Sequence, residues 1–119
     1  MGKKKSRIEL LTERIIAFRN ARVWKQFHNP KDLALSLVLE ASEVMEHFQW
    51  KNGEEIQEHL KDSKDEVAEE MADVLYWILL MSHDLDIDIL DALDKKLIIN
   101  EKKYPVSKSK GKHTKYNKL

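Results

Sequence analysis

Residues 66–80 read EVAEEMADVLYWILL, and the fold follows from how that stretch divides into faces. Val67, Met71, Val74, Leu75, Trp77, Ile78, Leu79 and Leu80 recur at helical rather than alternating spacing. At about 100° per residue, Glu66, Glu70, Asp73 and Trp77 form a second stripe along the edge of the apolar one. Ser63 and Glu66 have the spacing of a capping box, so the helix is expected to open there and to run to about His83. Its apolar arc is too wide for a small chain to cover alone, which predicts burial against a second copy.

The stretch 37–50, LVLEASEVMEHFQW, repeats the arrangement on an earlier helix. Glu40, Glu43 and His47 share a stripe beside Leu37, Ala41, Val44 and Phe48. Each acid pair, Glu40 with Glu43 and Glu70 with Asp73, is spaced i, i+3, so both members project from one face. Carboxylates seldom lie on a packing seam without a counter-charge, because desolvation is costly and mutual repulsion raises their pKa values. A hard divalent cation with oxygen ligands answers both problems, and Mg²⁺ is the commonest. Glu40, Glu43, Glu70 and Asp73 are therefore the candidate metal ligands and catalytic carboxylates. A di-iron bundle would want Glu-x-x-His on two helices; Glu43 and His47 are four apart, so magnesium is favoured. Most helical acids in a chain with 35% charged residues are simply solvated. Two matching pairs on neighbouring apolar-edged helices weigh against that here.

At 119 residues the chain has the length of one domain, with net charge zero unevenly distributed. From Glu54 to Asp73 nine acids face two lysines; from Lys95 to Leu119 nine lysines face one acid. An acidic middle suits metal and a basic end suits phosphate. There is no cysteine, hence no disulfide framework or thiol chemistry. No apolar run approaches the roughly 18 residues of a membrane span. The start, MGKKKSR, is basic without an apolar signal core, so a cytoplasmic protein is expected.

In chain order, Ser6 and Glu9 propose a first cap, followed by Ile8, Leu11, Ile15 and Phe18 on one stripe. Trp24 to His28 then form an aromatic corner before Asn29-Pro30, an N-cap and first helical residue. Phe27 is expected as a core plug, whereas Trp24 and His28 carry polar handles that a plug does not need. Helix two should run from about Pro30 to Gln49 and stop at the Asn52-Gly53 turn. A short polar helix is expected from about Glu54 to Lys61, with His59 simply exposed. Asp86 or Asp88 should cap a fourth long helix ending near Lys103, with Ile89, Leu93, Leu97 and Ile98 inward. Residues 106–119 lack apolar periodicity and should be an extended or mobile basic tail following a single domain of residues 1–105. No stretch alternates as a strand does. The class is all-α, a four-helix bundle completed by oligomerisation.

As a set, these motifs resemble the MazG-like, all-α nucleotide pyrophosphatases. Trp24-x-Gln-Phe-His28, Phe48-Gln-Trp50, Asp73-Val-Leu, Lys103-Tyr-Pro and Lys115-Tyr116 look like its deoxycytidine-triphosphate branch. The resemblance runs from about Arg22 to Leu119. It implies Mg²⁺-dependent hydrolysis of a nucleoside triphosphate, dCTP or a related deoxynucleotide, to monophosphate and pyrophosphate. It also implies a homodimer or homotetramer. By position it assigns Glu40, Glu43, Glu70 and Asp73 to the metal, and Trp24, Phe27, His28 and Trp50 to the base and sugar pocket. Trp77 stands where the family has a substrate-contacting tyrosine, and Lys96 and Asn100 match a pair associated with phosphates.

Two other classes compete with the enzyme. A helical interaction module would use the carboxylates for metal or salt bridges without catalysis. A nucleic-acid binder would use the lysine-rich tail, but the tail lacks interleaved aromatics and no recognition helix is visible, so no nucleic-acid partner is expected.

Overall fold

A computed structural model describes residues 2–119; Met1 of the basic start lies outside the described residues. Every regular element among them is helical, which establishes the all-α class. Four long helices, α1 (Arg7–Ala21), α2 (Pro30–Glu46), α3 (Gly53–Asp84) and α4 (Ile89–Lys103), are joined by short connections. A one-turn helix, α5 (Val106–Ser109), follows.

The caps form largely where side chains can satisfy the free amides of a first turn. Ser6 Oγ accepts from Glu9 N at 3.3 Å, Asn29 Oδ1 from Asp32 N at 2.9 Å, and Asp88 Oδ1 from Asp91 N at 3.1 Å. Of the two candidate caps for α4, Asp88 is the one used. Asn52 Oδ1 accepts from Glu55 N at 2.9 Å, and Glu55 Oε1 accepts from Asn52 N at 3.1 Å. This reciprocal box opens the expected short polar helix at Gly53. At Ser63 the backbone leaves helical angles (φ −124°, ψ 18°), so α3 consists of two helices that meet at a kink where a new helix was expected to open.

Two boundaries move. Helix α2 ends at Glu46 rather than Gln49, because the chain winds through a turn into Trp50 at φ 69°. A bulky residue in the left-handed region is uncommon and cannot continue a right-handed helix. Helix α1 ends at Ala21, and Val23 at φ 54° redirects the chain into a 3₁₀ turn, Lys25–Phe27.

The chain divides into two compact units at Asp86 and Ile87. In the first, α3 packs against α2 and, less extensively, α1. Leu33, Val67, Leu79 and Leu80 are its buried apolar side chains, with Leu80 at 0% exposure. Truncating Leu80 to Ala would remove about 2–5 kcal/mol through lost transfer energy and the cavity left behind. The wide arc of α3 is therefore split. Val67, Leu79 and Leu80 face inward, while Met71 and Leu75 are exposed, as are Leu35, Val38, Leu39 and Met45 on α2. Phe27 is 66% exposed and is not a core plug: the 3₁₀ turn carries it outward.

The second unit contains α4 and the basic segment. Leu93, Leu97 and Ile98 were expected inward, yet each leaves about half its surface exposed (54%, 50% and 53%). The segment after Pro105 is not simply extended. It forms α5, then turns through Tyr116–Lys118, so that Tyr116 meets Tyr104 edge-on at 6.1 Å. Lys103 Nζ lies 4.7 Å from the Tyr116 ring centroid. No helix among the described residues is long and apolar enough to cross a membrane.

Candidate functional site

Three of the four expected acids come together where α2 and α3 pack. Glu40, Glu43 and Glu70 each offer a carboxylate oxygen, and these oxygens lie within 4.8 Å of one another. Glu40 and Glu70 are half-buried and Glu43 is exposed. Asp73 lies outside this triplet, but its charge is close enough to push up both Glu40 and Glu70.

The electrostatics are those of a site with too much negative charge. Glu70 is pushed up to about 7, chiefly by a side-chain hydrogen bond with Glu43, then by burial and the neighbouring carboxylates. Burial raises Glu40, with Glu43 and Asp73 adding to the shift and the indole of Trp77 opposing it. One oxygen of Glu40 and one of Glu70 are fully buried without a hydrogen-bond partner among the described residues. A buried acceptor without a donor is costly. Two of them aimed into a cluster of like charge fit a hard divalent cation, which takes oxygen ligands and needs no donated proton.

A groove of about 260 Å³ runs beside the cluster, lined by Ala41, Val44, Met71 and Val74. Each lining residue directly follows one of the four acids in the sequence. The i, i+3 spacing that aligns the carboxylates therefore also aligns an apolar wall one step around each helix.

Trp77, one turn beyond Asp73, links this cluster to the corner between α1 and α2. Its indole borders Glu40, and its ring lies edge-on to His28 with centroids 5.7 Å apart. His28 is half-buried, and its Nδ1 sits 3.5 Å from Arg19 Nη1. Burial lowers the His28 pKa, and the cationic Arg19 lowers it further. Trp24 is 42% exposed and packs edge-on to Phe18 at 5.7 Å, while the Arg22 guanidinium covers the Phe18 ring at 3.7 Å. Trp50 is 91% exposed, the most open of the large apolar side chains among the described residues. Lys96 and Asn100 lie on α4 in the second unit, Asn100 half-buried.

Arg19, Asp84, His47 and His59 were not anticipated as interacting groups. Arg19 is 1% exposed and forms a two-pronged ion pair with Asp84, Nη1–Oδ2 2.7 Å and Nη2–Oδ1 2.8 Å. Sequence carried a faint signal for it. Arg19 follows Ile15 by four on the inner stripe of α1, and Asp84 follows buried Leu80 by four on α3. His59 is not merely exposed: its Nε2 lies 2.8 Å from His47 Nδ1, tying the end of α2 to the start of α3 below the Trp50 turn.

Residues 35–119 match the MazG-like family. The chain belongs to the MazG-like family. Among relatives of this MazG-like chain, dCTP pyrophosphatase 1 from Mus musculus is 36% identical over 104 residues, 86% of this chain and 61% of the mouse protein. The Homo sapiens protein of the same name is 34% identical over the same length. The chain thus spans about three fifths of the length of these curated relatives. A crystal structure of a pyrophosphatase from Archaeoglobus fulgidus superposes with a TM-score of 0.81 at 37% identity, covering 88% of this chain and 98% of that one.

Proposed function

We propose that this chain is a Mg²⁺-dependent nucleoside triphosphate pyrophosphohydrolase that converts dCTP or a closely related deoxynucleotide to its monophosphate and pyrophosphate. The observation that carries the proposal is the convergence of Glu40, Glu43 and Glu70, with buried oxygens lacking donors, on a seam with an apolar groove. The relatives named dCTP pyrophosphatase supply the substrate class. Glu40, Glu43 and Glu70 are assigned to the metal, with Asp73 completing the set. When bound, the cation neutralises phosphate charge and orients the phosphoanhydride.

The remaining chemistry belongs to the side chains. Phosphoryl transfer needs little covalent participation from protein; it needs alignment and charge compensation. The negative charge that pushes Glu70 up to about 7 without a cation is what a bound cation would offset, holding Glu43 and Glu70 ionised as ligands. Trp24, Phe27 and Trp50 present exposed rings for stacking on a base, worth about 1–3 kcal/mol per base whatever its identity. His28 and Trp77 supply the polar edge that separates one nucleotide from another. Lys96 and Asn100 are assigned to phosphate by position in the family pattern.

The exposed apolar faces of α2 and α3 support assembly as a homodimer or homotetramer, with Val38, Leu39, Met71 and Leu75 covered by a second copy.

The decisive experiment measures pyrophosphate release from each deoxy- and ribonucleoside triphosphate with and without Mg²⁺. The expected result is metal-dependent turnover with dCTP or a close relative preferred. Absence of release from every nucleotide at saturating Mg²⁺ would overturn the proposal and favour a non-catalytic interaction module.

A further inference from the structure

Beyond the carboxylates, the most constrained polar group in the first unit is Arg19. Its guanidinium is almost fully buried and gripped at both prongs by Asp84, the last residue of α3. A bidentate pair fixes the plane of the guanidinium as well as its position. Nη1, already donating to Asp84, has its second N–H left, and His28 Nδ1 lies 3.5 Å away. Arginine has five donors, no acceptor, and does not lose its proton in proteins. Whatever faces it across that distance must offer a lone pair.

We propose that Arg19 and Asp84 act as a positioning pair that fixes His28 in the tautomer carrying its proton on Nε2, making His28 a hydrogen-bond donor toward the nucleotide. The first half stands on geometry alone; only the last step rests on the nucleotide reading of the site. A protonated imidazole would set an N–H against a guanidinium N–H, two donors and two cations together. The direction of the His28 pKa agrees: burial lowers it, Arg19 lowers it further, and Asp84 opposes them. The charged and polar neighbours on the elements packed around it are Arg19 from α1, and Asp84 and Trp77 from α3. Lys25, in the 3₁₀ turn, and His83 act on Asp84.

The same residue also holds the other half of the corner. The Arg19 carbonyl accepts from both Arg22 N and Trp24 N at 3.2 Å, so Trp24 is placed by the backbone of the residue whose side chain orients His28. A donor at Nε2 selects an acceptor on the ligand: a base carbonyl, a ring nitrogen or a sugar oxygen. It rejects an amino group in that place, since two donors would be left facing each other without partners.

A merely structural pair would tether α1 to α3 and leave His28 unaffected. Replacing both partners by apolar residues, Arg19→Met with Asp84→Leu, separates the two roles, because such replacements of buried ion pairs are often neutral for folding. Long-range ¹H–¹⁵N spectra of the full chain report the His28 tautomer directly. In the wild type they should show the Nε2-protonated form; an Nδ1-protonated ring would overturn the proposal. In the double variant the two tautomers should mix, and KM for dCTP with Mg²⁺ should rise about twofold, in inverse proportion to the remaining Nε2-protonated fraction that the spectra report, with kcat changed far less. An unchanged tautomer and KM would make the pair a tether only. Should the double variant fail to fold, Arg19→Lys keeps the charge opposite Asp84 without the directed second N–H and should show the same tautomer mixing. Inactivity of the wild type on every nucleotide would refute the enzymatic proposal, whereas the tautomer spectra would still decide this one.

Discussion

Two charged clusters lie on the same helix α3, and they are opposites. At one, Glu70 meets Glu40 and Glu43 with no cationic side chain among the described residues to balance them, so Glu70 is driven up to about 7 and two buried oxygens go without donors among those residues. At the other, Asp84 meets Arg19 in a two-pronged pair, and its carboxyl is held below the usual range by that hydrogen bond. The charges of Arg19 and Asp84 compensate each other, although Arg19 Nε is buried without an acceptor among the described residues; the carboxylates at the first cluster have only like charge around them. The difference teaches where to look for function: a buried ion pair that closes on itself arranges the fold, whereas an uncompensated group of like charges calls for a ligand.

The largest expected effect lies at the uncompensated cluster. Glu43→Gln removes a charge without removing volume, and should lower pyrophosphate release by about a thousandfold or more, the several kcal/mol that a metal ion contributes to phosphoryl chemistry. It should also abolish the rise in melting temperature that Mg²⁺ gives the wild type, since only a ligand bound by the native state stabilises it. Turnover and Mg²⁺ stabilisation both near wild type would remove Glu43 from the metal site.

At the compensated cluster the expected loss is in stability instead. Arg19→Met leaves Asp84 partly buried with no partner and should cost about 3 kcal/mol, since Asp84 retains some access to water. Urea unfolding measures it, and the Arg19→Met/Asp84→Leu double variant should recover most of the loss. A double-mutant cycle with no coupling would show that the pair is not the element that joins α1 to α3.

The two clusters also differ in how far the sequence disclosed them. The acids were legible because their signal is local: i, i+3 spacing on an apolar edge is visible within a single turn of helix. Arg19 and Asp84 are 65 residues apart, and only packing of α1 on α3 brings them together. The same distinction explains the helix boundaries. Asn29 and Asp88 cap through bonds three residues long and fell where expected. The break at Ser63, where two helices meet, lies where the local signal placed it, whereas Trp50 in a left-handed conformation overrides local propensity. The inward stripe expected for Leu93, Leu97 and Ile98 supposed a cover that the second unit does not itself provide.

A smaller effect is expected from the exposed apolar surface beside the acidic cluster. In sedimentation the wild type should have a mass of at least two 14.0 kDa chains. Leu39, 57% exposed in the isolated chain, should lose about 2 kcal/mol of association per copy when replaced by Lys, roughly the value of one buried leucine. A monomeric wild type at micromolar concentration would leave the apolar faces of α2 and α3 without their proposed occupant.

The smallest effect, and the sharpest comparison, is in pH. At the compensated corner, Asp84 and His28 both have folded pKa values below their unfolded ones. The unfolded state therefore binds protons first, and the stability these groups contribute is lost as pH falls. For His28 the loss starts near the unfolded value of about 6.5 and is complete once pH has fallen below the folded one. For Asp84 it starts near 3.8 and finishes lower. The carboxylate cluster has the opposite sign. Glu70 rises from 4.5 to about 7 on folding, so its contribution is fully present below 4.5 and disappears as pH climbs through 7. In chelator-treated protein the two trends oppose each other just below pH 6.5, and the larger shift, that of Glu70, makes the net stability fall as pH climbs from about 4.5 to 7. Glu70→Gln should remove the larger part of that fall and expose the rise that His28 contributes just below pH 6.5. His28→Gln should do the reverse, leaving stability falling as pH climbs. Urea midpoints from pH 4 to 8 on the three proteins test this directly, and parallel profiles would mean that the clusters do not titrate as opposites.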